Sequence, residues 1–167
     1  MRLLAAGALL FWLIAGIAAD PTTDAAPPVD LVRVVKSQHK LYLLSAGTVV
    51  ASFDIALGGQ PLGHKQQEGD GRTPEGRYVL DYKKADSGYY RAIHISYPDA
   101  ADVARAQALG VPPGGAVMIH GQKNGFGWAS RLTQRFDWTN GCVALRDEDM
   151  EIVWTRVAAG TPIELLP

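Results

Sequence analysis

From Leu31 onward the chain alternates apolar and polar residues with the two-residue period of a half-buried strand. The pattern runs over Leu31 to Lys36, then over Lys40 to Leu44 and Thr48 to Leu57. β-Branched residues enrich the first and third runs, and Ser45-Ala46-Gly47 turns the chain between the second and third, so the pattern predicts a β-meander. Gly58-Gly59 ends it. Gln60 to Thr73 (QPLGHKQQEGDGRT) has no apolar period and reads as an exposed loop. Thr73-Pro74-Glu75-Gly76 reads as a turn, because proline at the second position presets φ and glycine suits the fourth. Two more alternating runs follow, Arg77 to Lys83 and Tyr90 to Tyr97, joined by a turn at Asp86-Ser87-Gly88.

The period then changes. Ala100 to Leu109 reads as a helix with Asp99 as its N-cap and Gly110 as its stop, and Val111-Pro112-Pro113-Gly114-Gly115 breaks structure after it. The apolar run Ala116 to Ile119 delivers His120 to the start of a loop, and Thr139-Asn140-Gly141 delivers Cys142 into the apolar Val143-Ala144-Leu145. Two strand ends would thus present an imidazole and a thiol side by side. Asp147 is expected to cap a second helix with Glu148 and Asp149 in its first turn, favourable at the positive end of the helix dipole. Met150, Val153, Trp154 and Val157 share one face of that helix and should pack on a sheet. Gly160 ends it, and Thr161 to Leu166 reads as a final strand. Seven or eight strands with two helices predict a mainly β fold with minor α, rather than a doubly wound sheet.

At 167 residues and 47% hydrophobic content, the chain suffices for one compact domain with a real core, assigned to residues 31–167. Sixteen basic residues balance 17 acidic ones, and no basic run interleaved with aromatics suggests a nucleic-acid partner. Residues 1–19 have the layout of a secretory signal: Met1-Arg2, an apolar run from Leu3 to Ile17, and Ala18-Ala19. The run is short for spanning ~30 Å of hydrocarbon, so cleavage is expected, and an uncleaved run would leave the protein transiently attached to the membrane. Residues 20–30 (DPTTDAAPPVD) read as a flexible leader. Export places the protein in the periplasm or cell envelope.

That compartment sharpens the meaning of Cys142, the one cysteine in the sequence. An oxidising environment normally pairs structural cysteines, and here there is no partner. The thiol is either functional or buried and inert. As a nucleophile it needs a neighbour that takes its proton, and His120 has the best context among four histidines. His39 and His64 read as solvated. His94, between Ile93 and Ile95 on a strand, is either a satisfied sheet histidine or part of a site. No two histidines have metal-ligand spacing, and no Gly-x-Ser-x-Gly elbow favours a serine hydrolase. Gly141 allows successive amides, those of Gly141 and Cys142, to converge as an oxyanion hole; the alternative is a tight turn at Asn140-Gly141.

His120-Gly121 followed by Thr139-Asn140-Gly141-Cys142 resembles the catalytic signature of the L,D-transpeptidase (YkuD-type) family, a His-Gly or His-Ser step followed by Ser/Thr-x-Gly-Cys. Gly69-Asp70-Gly71-Arg72-Thr73-Pro74-Glu75-Gly76 resembles the family's Gly-Asp-x-x-Thr-Pro-Glu-Gly segment, and Asp147 to Thr161 its closing acidic helix ending in Gly-Thr-Pro. The resemblance covers Leu31 to Leu166. It implies a mixed β-sandwich-like catalytic fold, no metal or other cofactor, and a cysteine nucleophile acting on peptidoglycan stem peptides.

In this reading His120 helps generate the Cys142 thiolate, and the Gly121 carbonyl holds the other ring nitrogen, with Asp137 a less favoured orienting group. Arg146, Asn140, Thr139, Trp128 and His94 are the substrate-side candidates, Trp128 and Trp138 forming a wall or lid over the peptide or else packing internally. Two departures stand out. Many members carry His where this chain has Asn140, and Arg where it has Ala144; Arg146, two positions on, would face the same side of a strand as Ala144 and Cys142. Three functions remain open: a cysteine transpeptidase, a cysteine hydrolase (carboxypeptidase or amidase) passing the same thioester to water, and a silent wall-binding module. A monomer is expected.

Overall fold

The computed structural model describes residues 26–167; the expected signal and most of the leader lie outside the described residues. Eight strands form one sheet: β1 (Leu31–Val35), β2 (Lys40–Ser45), β3 (Thr48–Asp54), β4 (Gly76–Lys84), β5 (Ala92–Ile95), β6 (Met118–His120), β7 (Val143–Ala144) and β8 (Thr161–Leu166). Their spatial order is β3-β2-β1-β8-β4-β5-β6-β7. The meander β1-β2-β3 is antiparallel as its alternation predicts. The C-terminal strand inserts at the centre, parallel to β1 and antiparallel to β4. Thr161, Ile163 and Leu165 of β8 point inward, and Pro162 and Leu166 point out.

The sheet curls until its ends meet. Just beyond β3, Ala56 and Ala144 of β7 exchange two backbone hydrogen bonds, at 2.9 and 2.8 Å. One continuous apolar core fills the curl, drawing Val32, Leu41, Ile55, Leu80, Ile93, Ile119, Val143 and Ile163 from every part of the sheet. The sandwich-like core is therefore made by two halves of one curled sheet facing each other. Burying each such side chain contributes about 1.5–3 kcal/mol.

Among the described residues three α-helices accompany the sheet, one more than the sequence pattern predicts. α1 (Ala100–Leu109) has the expected bounds. Asp99 accepts from the Asp102 amide, Asp102 accepts from the Asp99 amide in a capping box, and Gly110 closes the helix at φ 69°. The short α2 (Ser130–Thr133) follows a 3₁₀ turn at Gly127–Ala129; one turn is too brief for apolar periodicity to signal. α3 (Asp147–Arg156) buries Met150 and Val153. Its N-cap position is Arg146, which makes no side-chain cap, so Asp147 is not the cap. Its carboxylate instead accepts from the Gln122 amide at 2.7 Å.

The connection from Gln60 to Thr73 is the loop its polarity suggests, with half of its residues exposed, but it is anchored by buried polar groups. Lys36, itself buried, donates to Gly63 O (2.7 Å), Thr73 O (3.1 Å) and Glu75 (2.8 Å), pinning both ends. The Asp70 carboxylate accepts from the amides of Gln66, Gln67 and Arg72 and from Lys65. Polar residues are buried here because each finds a partner, which hydrophobic patterning cannot register. His64 belongs to this packing rather than to solvent: Nδ1 accepts from the Glu75 amide and Nε2 meets Asp102 at 2.9 Å.

The folded connection presses on the sheet at Gly58, where a Cβ would overlap the Gly71 carbonyl and crowd Gly141 Cα, whereas a Cβ on Gly88 would meet nothing within 4 Å. Gly58→Ala is expected to lower the melting temperature by about 5 °C or more, and Gly88→Ala to leave it near wild type, in parallel thermal melts.

Candidate active site

β6 and β7 run parallel in the register Ile119↔Val143 and His120↔Ala144, so Cys142 stands opposite Met118, two residues from His120 along the sheet, and its side chain leaves the same face as that of His120. His120 and Cys142 both line a cavity of about 210 Å³ with Tyr89, Ala116, Met118, Trp138, Thr139 and Asn140. The turn before Cys142 is fixed by one hydroxyl. Thr139 Oγ1 donates to Cys142 O (2.8 Å) and accepts from the Gly141 amide (3.1 Å). Gly141 has φ 123°, and a Cβ there would stand 2.5 Å from Arg72 O, so both angle and space require glycine. The Cys142 sulfur accepts from the Met118 amide at 3.4 Å and lies 3.8 Å from Ala116 O.

His120 is buried, its ring 4.3 Å from that of Tyr89 and 5.8 Å from that of Trp138. Its Nδ1 lies 2.6 Å from the Gly121 carbonyl. A carbonyl only accepts, so Nδ1 carries the proton and Nε2 is the basic nitrogen of the neutral ring. Gly121 is held in turn: its amide donates to Tyr90 O at 2.8 Å, and a Cβ would collide with Tyr90 and the Asp147 carboxylate. Asp147 lodges between Gly121 and Gly127 while binding the Gln122 amide. Gln122, also buried, donates to Leu145 O (2.7 Å) and accepts from Thr133 (2.7 Å), tying the His120 strand end to the start of α3 and to α2.

Burial pushes the His120 pKa down, outweighing the opposite pull of the Gly121 carbonyl. Burial likewise pushes the Cys142 thiol up, against the lowering effects of the Met118 amide and the Lys65 ammonium. Both groups are therefore neutral at neutral pH. Burial thus favours the uncharged thiol and the uncharged imidazole.

The sequence candidates divide. Cys142, His120, Thr139 and Asn140 share the cavity, and Gly121 lies behind the imidazole. Gly141 shapes the turn, but its amide is engaged by Thr139, so the expected pair of oxyanion amides is not available together. Arg146 lies elsewhere. β7 ends at Ala144, the chain turns into α3, and the guanidinium is bound to Asp149 (2.8 Å) and Glu148 (3.5 Å). Trp128 is 83% exposed and does not line the cavity, whereas Trp138 does. His94 pairs with Asp81 at 2.7 Å and stacks on Tyr82 away from the cavity. Asp137 accepts from the Leu57 amide and pairs with His39, not with His120. Sequence reasoning missed Tyr89, Gln122 and Asp147; the Gly-Phe-Gly run was the available signal for the last, since Gly127 makes room for its carboxylate.

The YkuD family, described as the L,D-transpeptidase catalytic domain, matches residues 30–165. A curated relative, "Putative L,D-transpeptidase YafK" of Escherichia coli (strain K12), is 36% identical over 88 residues, covering 52% of this chain and 34% of its own. The helical cell shape determining protein Pgp2 from Campylobacter jejuni superposes with a TM-score of 0.60 at 26% identity, over 83% of this chain and 48% of its own. An L,D-transpeptidase from Xylanimonas cellulosilytica shares the fold at a TM-score of 0.55 and 15% identity, over 84% of this chain and 62% of its own. The chain thus spans about a third of YafK and under half of Pgp2.

A neutral resting pair has a kinetic signature. The rate at which iodoacetamide alkylates Cys142 in the folded protein should keep rising with pH past about 8.5, the ordinary thiol value, because burial holds the thiol above it. A plateau reached below about pH 7.5 would indicate a preformed thiolate–imidazolium pair instead.

Proposed function

Because the chain belongs to the L,D-transpeptidase catalytic domain family, we propose that it is a cysteine acyl transferase that cross-links peptidoglycan stem peptides in the periplasm or cell envelope. His120 Nε2 takes the Cys142 proton as the sulfur attacks a carbonyl that follows an L-centre. The C–S bond forms, the C–N bond to the D-residue breaks, and the departing amine leaves with the proton from His120. The thioester then passes to the amine of a second stem peptide, and the thiol is restored. The Cys142 amide faces the charge that develops on the carbonyl oxygen. Asn140 and Thr139 border the peptide; Tyr89 and Trp138 wall the imidazole and exclude water from it.

The observation that supports this reading most is the tautomer. The Gly121 carbonyl fixes the proton on Nδ1, so the nitrogen left basic belongs to a ring lining the same cavity as the thiol. An amide at residue 140 cannot take the thiol proton, which assigns that role to His120. The acceptor amine distinguishes this activity from hydrolysis, and a role in cell-wall biogenesis and cell shape, the property in Pgp2's name, follows from cross-linking.

Incubation of the protein with defined muropeptides, followed by mass analysis, tests the proposal. Cross-linked dimers are expected; shortened peptides alone would make it a hydrolase, and unchanged substrate a wall-binding module. His120→Ala is expected to slow thioester formation, read as carbapenem adduct mass on native protein, by about 10²–10⁴-fold. Asn140→Ala should cost less, and Cys142→Ser should give no adduct. A His120→Ala variant that acylates at the wild-type rate would refute the mechanism.

A further inference from the structure

Behind the Gly141 turn, on the side away from the cavity, lies a buried ammonium that nothing in the mechanism above uses. Lys65 is 3% exposed. Its Nζ donates to Asp70 Oδ1 at 2.8 Å and to Gln67 O at 3.1 Å, which occupies two of its three N–H groups. It stands 3.7 Å from where a Gly141 Cβ would be, on the residue preceding the nucleophile. Arg72 O touches the same glycine, and Arg72 donates its amide to Asp70, so the knot that holds Lys65 is packed directly on the turn that presents Cys142.

A lysine stem this deeply buried costs side-chain entropy and desolvation, and a neutral side chain would fill the space more cheaply. Asp70 shows that the charge is kept in place deliberately by the fold. Its carboxylate is held down to about pH 2 by Lys65 and the three amides, despite burial, so it stays ionised and anchors the ammonium. The other charged and titratable groups around Cys142 are few. His120 and Tyr89 face it across the cavity. The Arg72 side chain points toward Gly63, and Asp137 is turned to Leu57 and His39. Among the described residues, Lys65 is the cation that packs on Gly141 and lowers the Cys142 thiol pKa.

We propose that Lys65, anchored by Asp70, is a positioning residue that stabilises the Cys142 thiolate from behind the Gly141 turn, offsetting the cost of forming an anion in a buried cavity. This rests on Cys142 being the nucleophile, but not on the reaction being transpeptidation. The ammonium acts through space in a partly desolvated environment, where it is screened less than in bulk water, and a shift of about one pKa unit is expected from it.

The test is the pH profile of Cys142 alkylation by iodoacetamide in the folded protein, which needs no substrate and no turnover. Lys65→Met, close in size but uncharged, is expected to move the profile up by about one pH unit. It should slow alkylation at pH 7.5 by about 3- to 10-fold, the higher nucleophilicity of a more basic thiolate returning part of the loss. Lys65→Arg should recover most of it. Asp70→Asn, which removes the counter-charge and leaves the cation, should move the profile the other way, a sign that loosened packing would not produce. Coincident profiles for Lys65→Met and wild type, an Arg variant as impaired as the Met variant, or an upward shift in Asp70→Asn would each overturn the proposal. Where Lys65→Met does not fold, the direction of the Asp70→Asn shift decides. A wild-type thiol alkylated only after denaturation would overturn the reading of Cys142 itself, and the proposal with it.

Discussion

Two backbone hydrogen bonds between Ala56 and Ala144 join the ends of the curled sheet, and the candidate site hangs from that join. β7 is only two residues long and could not hold a register by itself. It is clamped on one side by β6 and on the other by the chain leaving β3, where Thr139 and Leu57 also pair, along with Gly59. Cys142 sits between these clamps. A nucleophile carried on a turn is normally a mobile group, but here the residues on both sides of it are stitched to separate parts of the sheet.

The closure also explains why glycine recurs where the chain passes itself. Gly58, Gly141, Gly121 and Gly127 each face a backbone carbonyl or a carboxylate at a distance that excludes a Cβ. The first two let the Gln60–Thr73 connection press against the sheet and the nucleophile turn. The other two let Asp147 reach between β6 and the segment preceding α2. A single network then runs from α3 through Asp147 and Gln122 to the strand end that carries the imidazole, so that helix packing and the orientation of His120 are one problem.

Charge at the site follows from burial. A solvated thiol beside a solvated imidazole would share its proton readily, whereas here desolvation raises one pKa and lowers the other, and both groups stay neutral. If Cys142 acts as proposed, the site makes charge during the reaction, and donors fixed beforehand, such as the Met118 amide on the sulfur, stabilise an anion without reorganising.

Local patterning by itself determined the strands of the meander, β4 and β8, and the capped helix α1, because alternation and caps are written in residues close in sequence. It also singled out Cys142 and His120, and the tertiary structure puts both in the lining of one cavity. Tertiary structure decided what depends on distant partners. Arg146 was expected to follow Cys142 on a strand, but the strand stops at Ala144 and α3 claims the guanidinium. The polar Gln60–Thr73 stretch was expected to be an exposed loop, and half of its residues are exposed, but Lys36 reaches in to bond Gly63 O and Thr73 O, and Lys65 pairs with Asp70 inside it. Hydrophobic period reports which residues avoid water, and a buried ion pair avoids water for a reason no period contains: its partner lies on another part of the chain.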